Sequence, residues 1–438
     1  MLKTSGQMGG RPMGIFQVIC AAAIIAEAVF VPSMAGAADP LRRAQPEEVG
    51  MSSDRLARLG EVLGADVEAG RIPGAVILVM RHGKIAYFEA FGLENTRNGA
   101  AMLKDSIFRI YSMTKPVVSV AVMMLWEEGR FDIDDPIAKY LPDLKDLKVA
   151  VVHKGADGTS NVELEQAKRQ PTIQQLLEHT GGLTNGILPK SPDYPVRQMY
   201  RDANIPNPDE TLAELVAKIG RLPLVSEPGT VWEYSRSTDV LGRLVEVVSG
   251  MPIDRFLETR IFAPLGMKDT GFWVSGEKVD RLAEPFANDP EPGSPVPLIE
   301  VTKPPKLLSG NGGLVSTAED YTRFTQMLVN HGSFDGVSIL GPETVKYMTS
   351  DQIGTVRGPL YIPGPGYGFG LGFAVRLSVG QAPYPGSEGD YSWGGSAGTV
   401  FWVDPKEDLT AVFMTQRFGA FVHYGRLIRT LVYQSIVH

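Results

Sequence analysis

Ser112 and Lys115 stand three positions apart, directly before an apolar segment that runs from Val117 to Trp126. If a helix begins at or just before Ser112, this spacing places the hydroxyl and the amine on one helical face, with Cβ atoms about 5–6 Å apart. A serine attacks a carbonyl carbon only when a neighbour takes its proton, and a lysine can do so when burial lowers its pKa. Because Ser-x-x-Lys also occurs by chance, partner motifs must decide whether the pair is catalytic.

The apolar segment is predicted to be a buried helix that covers Lys115. It is longer than ten residues, Pro116 suits a first helical turn, and Gly129 suits the position after the last turn. The four valines between Val117 and Val122 are as typical of a buried strand, so length and ending decide for the helix.

Two further motifs lie far along the chain. Tyr234-Ser235-Arg236 precedes a helix predicted to start near Asp239, and its phenol can relay a proton if nearby positive charge lowers its pKa from about 10. Trp393-Gly394-Gly395-Ser396 leads into strand-like residues, and an edge strand of this kind can aim a backbone N–H at a developing oxyanion. The alternatives are an ordinary half-buried tyrosine and a β-bulge or turn.

Residues 394–398 also match Gly-x-Ser-x-Gly, the nucleophile elbow of α/β hydrolases. That motif needs a helix after the serine, whereas the residues after Ser396 are strand-like. A triad of Ser396, Asp404 or Asp408, and His423 would leave little sheet to carry it. We therefore expect Ser396 not to be the nucleophile. The six histidines show no metal-ligand spacing, so neither a metal site nor a cofactor is predicted.

Composition limits the possible classes. The chain has 438 residues, 43% of them hydrophobic and 21% charged, which is ordinary for a globular protein and long enough for two lobes. The net charge of −8, without any Lys/Arg-rich run, gives no reason to expect a nucleic-acid partner.

Residues 1–37 have the features of a secretory signal peptide. Basic residues precede an apolar stretch at 13–32, and small residues predict cleavage near Ala37. Glu27 interrupts the stretch, which argues against a membrane span; an uncleaved anchor is the alternative. The only cysteine, Cys20, lies here, so the mature chain would have no disulfide. A periplasmic or secreted protein without a membrane span after cleavage is expected.

Hydrophobic periodicity predicts an α/β (α+β) fold, in which a sheet is assembled from both ends of the chain and a mostly helical domain is inserted between them. The α/β domain is assigned to residues 38–135 and 306–438, and the helical domain to 136–305. The expected elements are a helix capped at Ser52, a hairpin over 75–91 turning at His82-Gly83, an amphipathic helix over 318–329, strands within 367–377, 391–403 and 409–415, and a closing amphipathic helix over 422–437.

The three motifs occur in the order and approximate separation of the active-site motifs of serine β-lactamase-like proteins. The chain resembles the branch that contains class C β-lactamases, D-alanyl-D-alanine carboxypeptidases and family VIII carboxylesterases. Leu176 to Leu183, Pro264 to Met267 and Asn311 to Ala318 support the resemblance. Class C enzymes carry Tyr-x-Asn and Lys-Thr-Gly; here Arg236 and Trp393 replace the Asn and the Lys, which is similar to the family VIII esterases and implies an uncharged ester substrate.

The resemblance implies a serine β-lactamase-like fold, with an antiparallel sheet flanked by terminal helices, and a role for each motif. Ser112 would be the nucleophile, and Lys115 and Tyr234 would share the proton transfers, with the formal base left open. The backbone N–H groups of Ser112 and Ser396 would form the oxyanion hole. The residues expected to contact substrate are Trp393, Gly394, Gly395 and Arg236.

The function implied is that of a serine carboxylesterase, which hydrolyses short-chain esters through an acyl-enzyme and has weak β-lactam hydrolysis as a side activity. The expected partner is a small-molecule ester, and the oligomeric state is left open. The alternatives are a class C-like β-lactamase or D-alanyl-D-alanine carboxypeptidase, and a non-catalytic relative that binds cell wall or peptide.

Overall fold

The computed structural model describes residues 41–154, 160–186, 195–290, 294, 296–356, 362 and 364–438; the predicted signal peptide lies outside these residues. The α-helices are α1 (Ser53–Glu68), α2 (Thr114–Glu127), α3 (Ile173–Leu177), α4 (Pro195–Asp202), α5 (Leu212–Ile219), α6 (Ser237–Ser249), α7 (Ile253–Leu257), α8 (Ala263–Leu265), α9 (Ala318–Val329), α10 (Pro342–Met348) and α11 (Phe421–Tyr433). The strands are β1 (Gly74–Arg81), β2 (Lys84–Asn95), β3 (Ala100–Ala101), β4 (Phe108–Arg109), β5 (Lys148–Lys154), β6 (Ser160–Gln166), β7 (Val315–Ser316), β8 (Ser333–Phe334), β9 (Val337–Ser338), β10 (Tyr367–Phe369), β11 (Ala374–Arg376), β12 (Tyr391–Gly394), β13 (Val400–Asp404) and β14 (Leu409–Thr415).

An eight-stranded antiparallel sheet joins strands from distant parts of the chain, in the order β10-β11-β12-β13-β14-β1-β2-β3. β1 pairs along its length with β2 and with β14, so that Val79 lies opposite Ala411. The predicted hairpin is confirmed: β1 and β2 turn at His82 and Gly83, whose φ angles of 52° and 67° give the left-handed backbone that suits a two-residue turn.

Apolar clusters cover both faces of this sheet. Leu59 of α1 and Ile428 of α11 pack with Ile77 and Phe413 on one face, so the terminal helices flank the sheet as predicted. On the other face, Val412 belongs to the larger core that includes α2 and α9. Alternate residues of each strand point to opposite faces, which explains how one sheet serves both clusters.

The helix predicted after Ser112 is confirmed as α2, in which every residue from Thr114 to Leu125 is buried. Gly129 follows its end with a φ of 68°. The amphipathic helix predicted over 318–329 is confirmed as α9, but its polar side is not exposed to solvent. Almost all of its side chains are buried, and its polar ones find internal partners: Gln326 Nε2 donates a hydrogen bond of 2.9 Å to Thr410 Oγ1.

Residues 136–305 are mostly helical where the structure describes them, but they also contain a hairpin that the hydrophobic pattern does not predict. β5 and β6 pair in register from Lys148 opposite Gln166 onward. The division into an α/β domain and an inserted helical domain stays a prediction. No helix of the described residues is both long enough and apolar enough to cross a membrane.

Candidate active site

Ser112 lies in a 3₁₀ turn between β4 and α2. Phe108 of β4 pairs with Ser316 of β7, which fixes the strand that leads into the turn. On its other side, the Tyr321 hydroxyl donates a hydrogen bond of 2.9 Å to the Met113 carbonyl oxygen. The serine is therefore held, half-buried, at the amino end of a fully buried helix, whose dipole favours negative charge.

Lys115 stands behind the serine, and only 2% of its surface is exposed. Its Nζ lies 3.1 Å from Ser112 Oγ and donates a hydrogen bond of 2.7 Å to the Asn311 carbonyl oxygen. Burial, reinforced by the nearby Arg236 guanidinium, holds the pKa of Lys115 well below its usual range. An amine that can accept a proton thus stands beside the candidate nucleophile.

Tyr234 approaches the serine from the helical part of the chain. Its hydroxyl donates a hydrogen bond of 2.7 Å to Ser112 Oγ, and Lys115 Nζ lies 4.5 Å from the centre of its ring. Burial raises the pKa of Tyr234 to about 12, although the hydrogen bond with Ser112 opposes this rise. The positive charge of Arg236 does lower this pKa, but burial outweighs it, so the condition of a lowered pKa for the proton relay is not met. The phenol is a proton donor at neutral pH.

His179 supports Tyr234 and was not identified as a site residue from the sequence. Its ring lies 5.0 Å from the Tyr234 ring, and its Nδ1 is 3.0 Å from Ser235 Oγ. Burial lowers the pKa of His179 well below its usual range, so the ring is neutral. A φ of 61° at a non-glycine residue is strained backbone, which often marks a functional site. In the sequence, His179 lies in the segment from Leu176 to Leu183, which supports the family resemblance but does not by itself assign the histidine to the site.

Arg236 is buried and is paired with Asp239, its Nη1 lying 3.3 Å from the carboxylate. Asp239 also accepts hydrogen bonds from Ser309 Oγ at 2.7 Å and from the Asn311 N–H at 2.9 Å. This carboxylate therefore fixes the residue whose carbonyl oxygen holds Lys115. Neither Asp239 nor Asn311 was predicted as a site residue, because their roles depend on contacts between distant segments.

Trp393 and Gly394 end strand β12, which lies between β11 and β13. The expectation of an edge strand is wrong, because residues 367–377 form two short strands that extend the sheet beyond β12. The Trp393 ring lies 5.5 Å from the Tyr234 ring. A Cβ at Gly395 would clash with the Ile110 carbonyl oxygen, so only glycine lets this turn approach the segment that carries Ser112.

The backbone N–H groups of Ser112 and Ser396 are candidates for an oxyanion hole. In the part of the chain that the structure describes, neither N–H donates to a protein acceptor. Both residues line a cavity of about 790 Å³, together with Tyr234, Arg236, Trp393 and Gly394. Lys115 and Gly395 lie behind this surface. Among the described residues, no group of His, Cys, Asp and Glu side chains could hold a metal ion.

The α/β-hydrolase reading of Ser396 lacks its required context. The residues after Ser396 lead into a strand rather than a helix. The candidate acids are also engaged elsewhere: Asp408 lies 3.2 Å from His82 Nδ1, and Asp404 accepts a hydrogen bond of 2.6 Å from the Tyr433 hydroxyl. The geometry brings Lys115 and Tyr234 to Ser112 instead.

Comparison with known proteins gives the family. The family model described as Beta-lactamase matches residues 59–433, which is most of the chain. The chain belongs to the beta-lactamase family. Protein Rv1367c of Mycobacterium tuberculosis is 36% identical to this chain, over 80% of this chain and 87% of the relative. Esterase EstB of Burkholderia gladioli is 32% identical, over 82% of this chain and 90% of the relative.

Solved structures agree with this assignment. The structure described as EstCE1, a hydrolase with promiscuous acyltransferase activity, superposes on this family member with a TM-score of 0.72 at 28% sequence identity. It covers 87% of this chain and 99% of its own. The predicted serine β-lactamase-like fold is therefore confirmed.

Proposed function

We propose that this beta-lactamase family member is a serine carboxylesterase, with Ser112 as nucleophile. One observation carries the proposal: Ser112 Oγ lies 3.1 Å from the buried Lys115 amine and accepts a 2.7 Å hydrogen bond from Tyr234. The likeness to a relative named an esterase and to a structure described as a hydrolase supports ester hydrolysis.

The pKa of Lys115 is lowered and that of Tyr234 is raised, which favours different roles for the two groups in proton transfer. Lys115, whose pKa is lowered, takes the proton of Ser112 as Oγ attacks the ester carbonyl carbon. Tyr234, whose pKa is raised to about 12, keeps its proton at neutral pH and donates it to the departing alkoxide. Lys115 then returns a proton to Tyr234. The products of this half-reaction are an alcohol and an ester of Ser112.

The second half-reaction regenerates the serine. Water attacks the acyl carbon while Lys115 accepts a proton from it. The bond between the acyl carbon and Ser112 Oγ then breaks, Tyr234 protonates Oγ, and Lys115 returns its proton to Tyr234, which releases the carboxylic acid and free Ser112. In both halves, negative charge develops on the carbonyl oxygen. We assign its stabilisation to the N–H groups of Ser112 and Ser396, an assignment supported by the position of both residues at the cavity; preorganised donors of this kind contribute about 3–4 kcal/mol each.

The cavity favours an uncharged ester as substrate. Arg236 already has the carboxylate of Asp239 as its partner, and Trp393 adds an apolar wall beside Tyr234. A substrate carboxylate would therefore have to compete with Asp239 for the guanidinium. Short-chain esters are the proposed substrates, with β-lactam hydrolysis as a weak side activity.

Export is part of the proposal. The basic start, the apolar stretch at 13–32 and the small residues near Ala37 support a cleaved signal peptide and a periplasmic or secreted enzyme. Amino-terminal sequencing of protein recovered from the producing cells would test cleavage, and recovery of residues 1–37 on the mature protein would contradict it.

The activity is tested by comparing turnover of p-nitrophenyl butyrate and nitrocefin on purified protein. The proposal expects the ester to be turned over much faster, and a strong preference for nitrocefin would favour the β-lactamase alternative. A fluorophosphonate probe followed by peptide mass spectrometry should label Ser112. Absence of any adduct would favour a non-catalytic relative instead.

A further inference from the structure

One wall of the cavity is an extended segment that contains neither helix nor strand. Nearly every residue from 296 to 307 lines the cavity, and the range contains three prolines, which disfavour regular helix and strand. Leu298 is 38% exposed and lines the cavity, so its side chain is accessible to a ligand there. Val301 is anchored in a small apolar cluster with Ile107 and Val274, but the backbone around Leu298 must be held by other contacts.

The Tyr111 hydroxyl supplies this connection. It donates a hydrogen bond of 2.9 Å to the Pro297 carbonyl oxygen and accepts one of 3.2 Å from the Ile299 N–H. These two hydrogen bonds hold the backbone on both sides of Leu298. Arg109 adds a third link, since its Nε donates a hydrogen bond of 2.8 Å to the Ile299 carbonyl oxygen.

Tyr111 is also the residue immediately before the candidate nucleophile, and its backbone is strained. Its φ of 44° lies in the left-handed region, which costs a bulky residue about 1–3 kcal/mol. The Phe418 ring packs edge-on against its ring at 5.5 Å, and Gly312 lies against its backbone. The conformation that sets Ser112 in its turn is therefore the one that aims the phenol at the wall.

We propose that Tyr111 is a specificity-determining residue, which holds the 296–307 wall at a fixed distance from Ser112 so that Leu298 and its neighbours contact the bulkier apolar group of an ester. The inference rests on the proposed esterase function. It assigns recognition of substrate size to a hydroxyl group that takes no part in proton transfer.

The test is Tyr111→Phe, which removes the hydroxyl but keeps the ring and the strained backbone. Tyr140→Phe is the matched control, because the Tyr140 hydroxyl donates a hydrogen bond of 2.6 Å to Asp135 and does not line the cavity. The substrates are a small ester, ethyl acetate, and a bulky one, 1-naphthyl butyrate, both followed by pH-stat titration so that acid release is measured directly.

Loss of the two bonds should lower kcat/KM for 1-naphthyl butyrate about tenfold, mainly through KM, and that for ethyl acetate by no more than about threefold. The control variant, Tyr140→Phe, should change kcat/KM for neither ester. Equal losses on both esters would assign Tyr111 a general structural role and overturn the proposal, as would the absence of any loss. If the unaltered enzyme hydrolyses neither ester, the esterase function itself is wrong, which is a different result from a uniform response of the variant.

Discussion

Among the buried charged groups that the structure describes, the cluster around Asp390 and the surroundings of Lys115 differ in what their cations contact. Arg376 and Arg429 share the fully buried carboxylate of Asp390, at 2.6 Å and 3.1 Å. Although burial lowers the pKa of Arg429, the Asp390 carboxylate and the neighbouring tyrosines together outweigh it, so the pKa is raised. Lys115 is buried as deeply, but among the described residues it contacts a hydroxyl and a carbonyl oxygen and forms no ion pair.

The difference shows how the same burial produces structure in one place and chemistry in another. A buried cation with a carboxylate partner keeps its charge and holds segments together, whereas one that meets only neutral dipoles is driven to release its proton. Lys115 contacts neutral groups only, so its lowered pKa lets it accept a proton from Ser112. Four predictions test this difference, and they follow in order of decreasing effect on turnover.

Ser112→Ala should abolish ester hydrolysis, with kcat falling by at least about 10⁴-fold, because it removes the hydroxyl that is proposed to form the acyl-enzyme. Ser396→Ala is the matched control: it removes a hydroxyl from the same cavity but leaves the backbone N–H in place, so much of the activity should remain. Both are measured as p-nitrophenyl butyrate turnover. The opposite pattern would restore the α/β-hydrolase reading of residues 394–398.

Lys115→Met should lower kcat about 10³-fold, since it removes the base while keeping the length of the side chain. In the unaltered enzyme, kcat/KM should fall as pH decreases through the lowered pKa of Lys115, because the ammonium form cannot accept the serine proton. Tyr234→Phe should lower kcat but retain this acid limb, since a phenol with a pKa of about 12 does not titrate there. Loss of the acid limb in Tyr234→Phe would show that the base has been misassigned.

Gly395→Ala should lower kcat about tenfold by pushing the turn that carries the Ser396 N–H away from Ser112, because the new methyl group would clash with the Ile110 carbonyl oxygen. Gly394→Ala is milder, since its Cβ would be 3.1 Å from the Thr399 carbonyl oxygen. Comparing kcat of the two variants tests the oxyanion-hole assignment. A larger loss at Gly394 would contradict it.

Arg376→Met should leave kcat of the folded enzyme nearly unchanged but lower the free energy of unfolding by about 3–5 kcal/mol, because it breaks a buried ion pair. Lys346→Met provides the control: its pair with Glu343 is exposed, so at most about 1 kcal/mol should be lost. Urea denaturation measures both. If Arg376→Met reduced kcat as strongly as Lys115→Met, the separation between a structural and a chemical cluster would be wrong.

Local sequence predicted those features that local physics determines. The buried helix α2, the turn at His82 and Gly83, and the three motif positions all follow from short-range patterns. Other features depend on which distant segments meet. The polar but buried α9, the interior position of β12, and the His179 contact with Tyr234 could not be read from periodicity, because tertiary partners satisfy groups that would otherwise face water.

The raised pKa of Tyr234 illustrates the same limit for the site. The sequence supplied the cation, Arg236, but not the depth of burial, and burial decided the sign of the shift. Motif spacing and order were sufficient to find Lys115 and Tyr234, the two side chains that contact the Ser112 hydroxyl. They were not sufficient to say which of them carries a proton.

The contacts of the site also have a consequence for folding. The bond between Tyr234 and Ser112 joins residues 122 positions apart, and the bond between Lys115 and Asn311 spans 196. Contacts of such high sequence separation require most of the chain to be in place before they form. Recovery of ester hydrolysis after dilution from urea should therefore lag behind recovery of helical circular dichroism. In this protein, enzymatic activity is a late and stringent reporter of the native state.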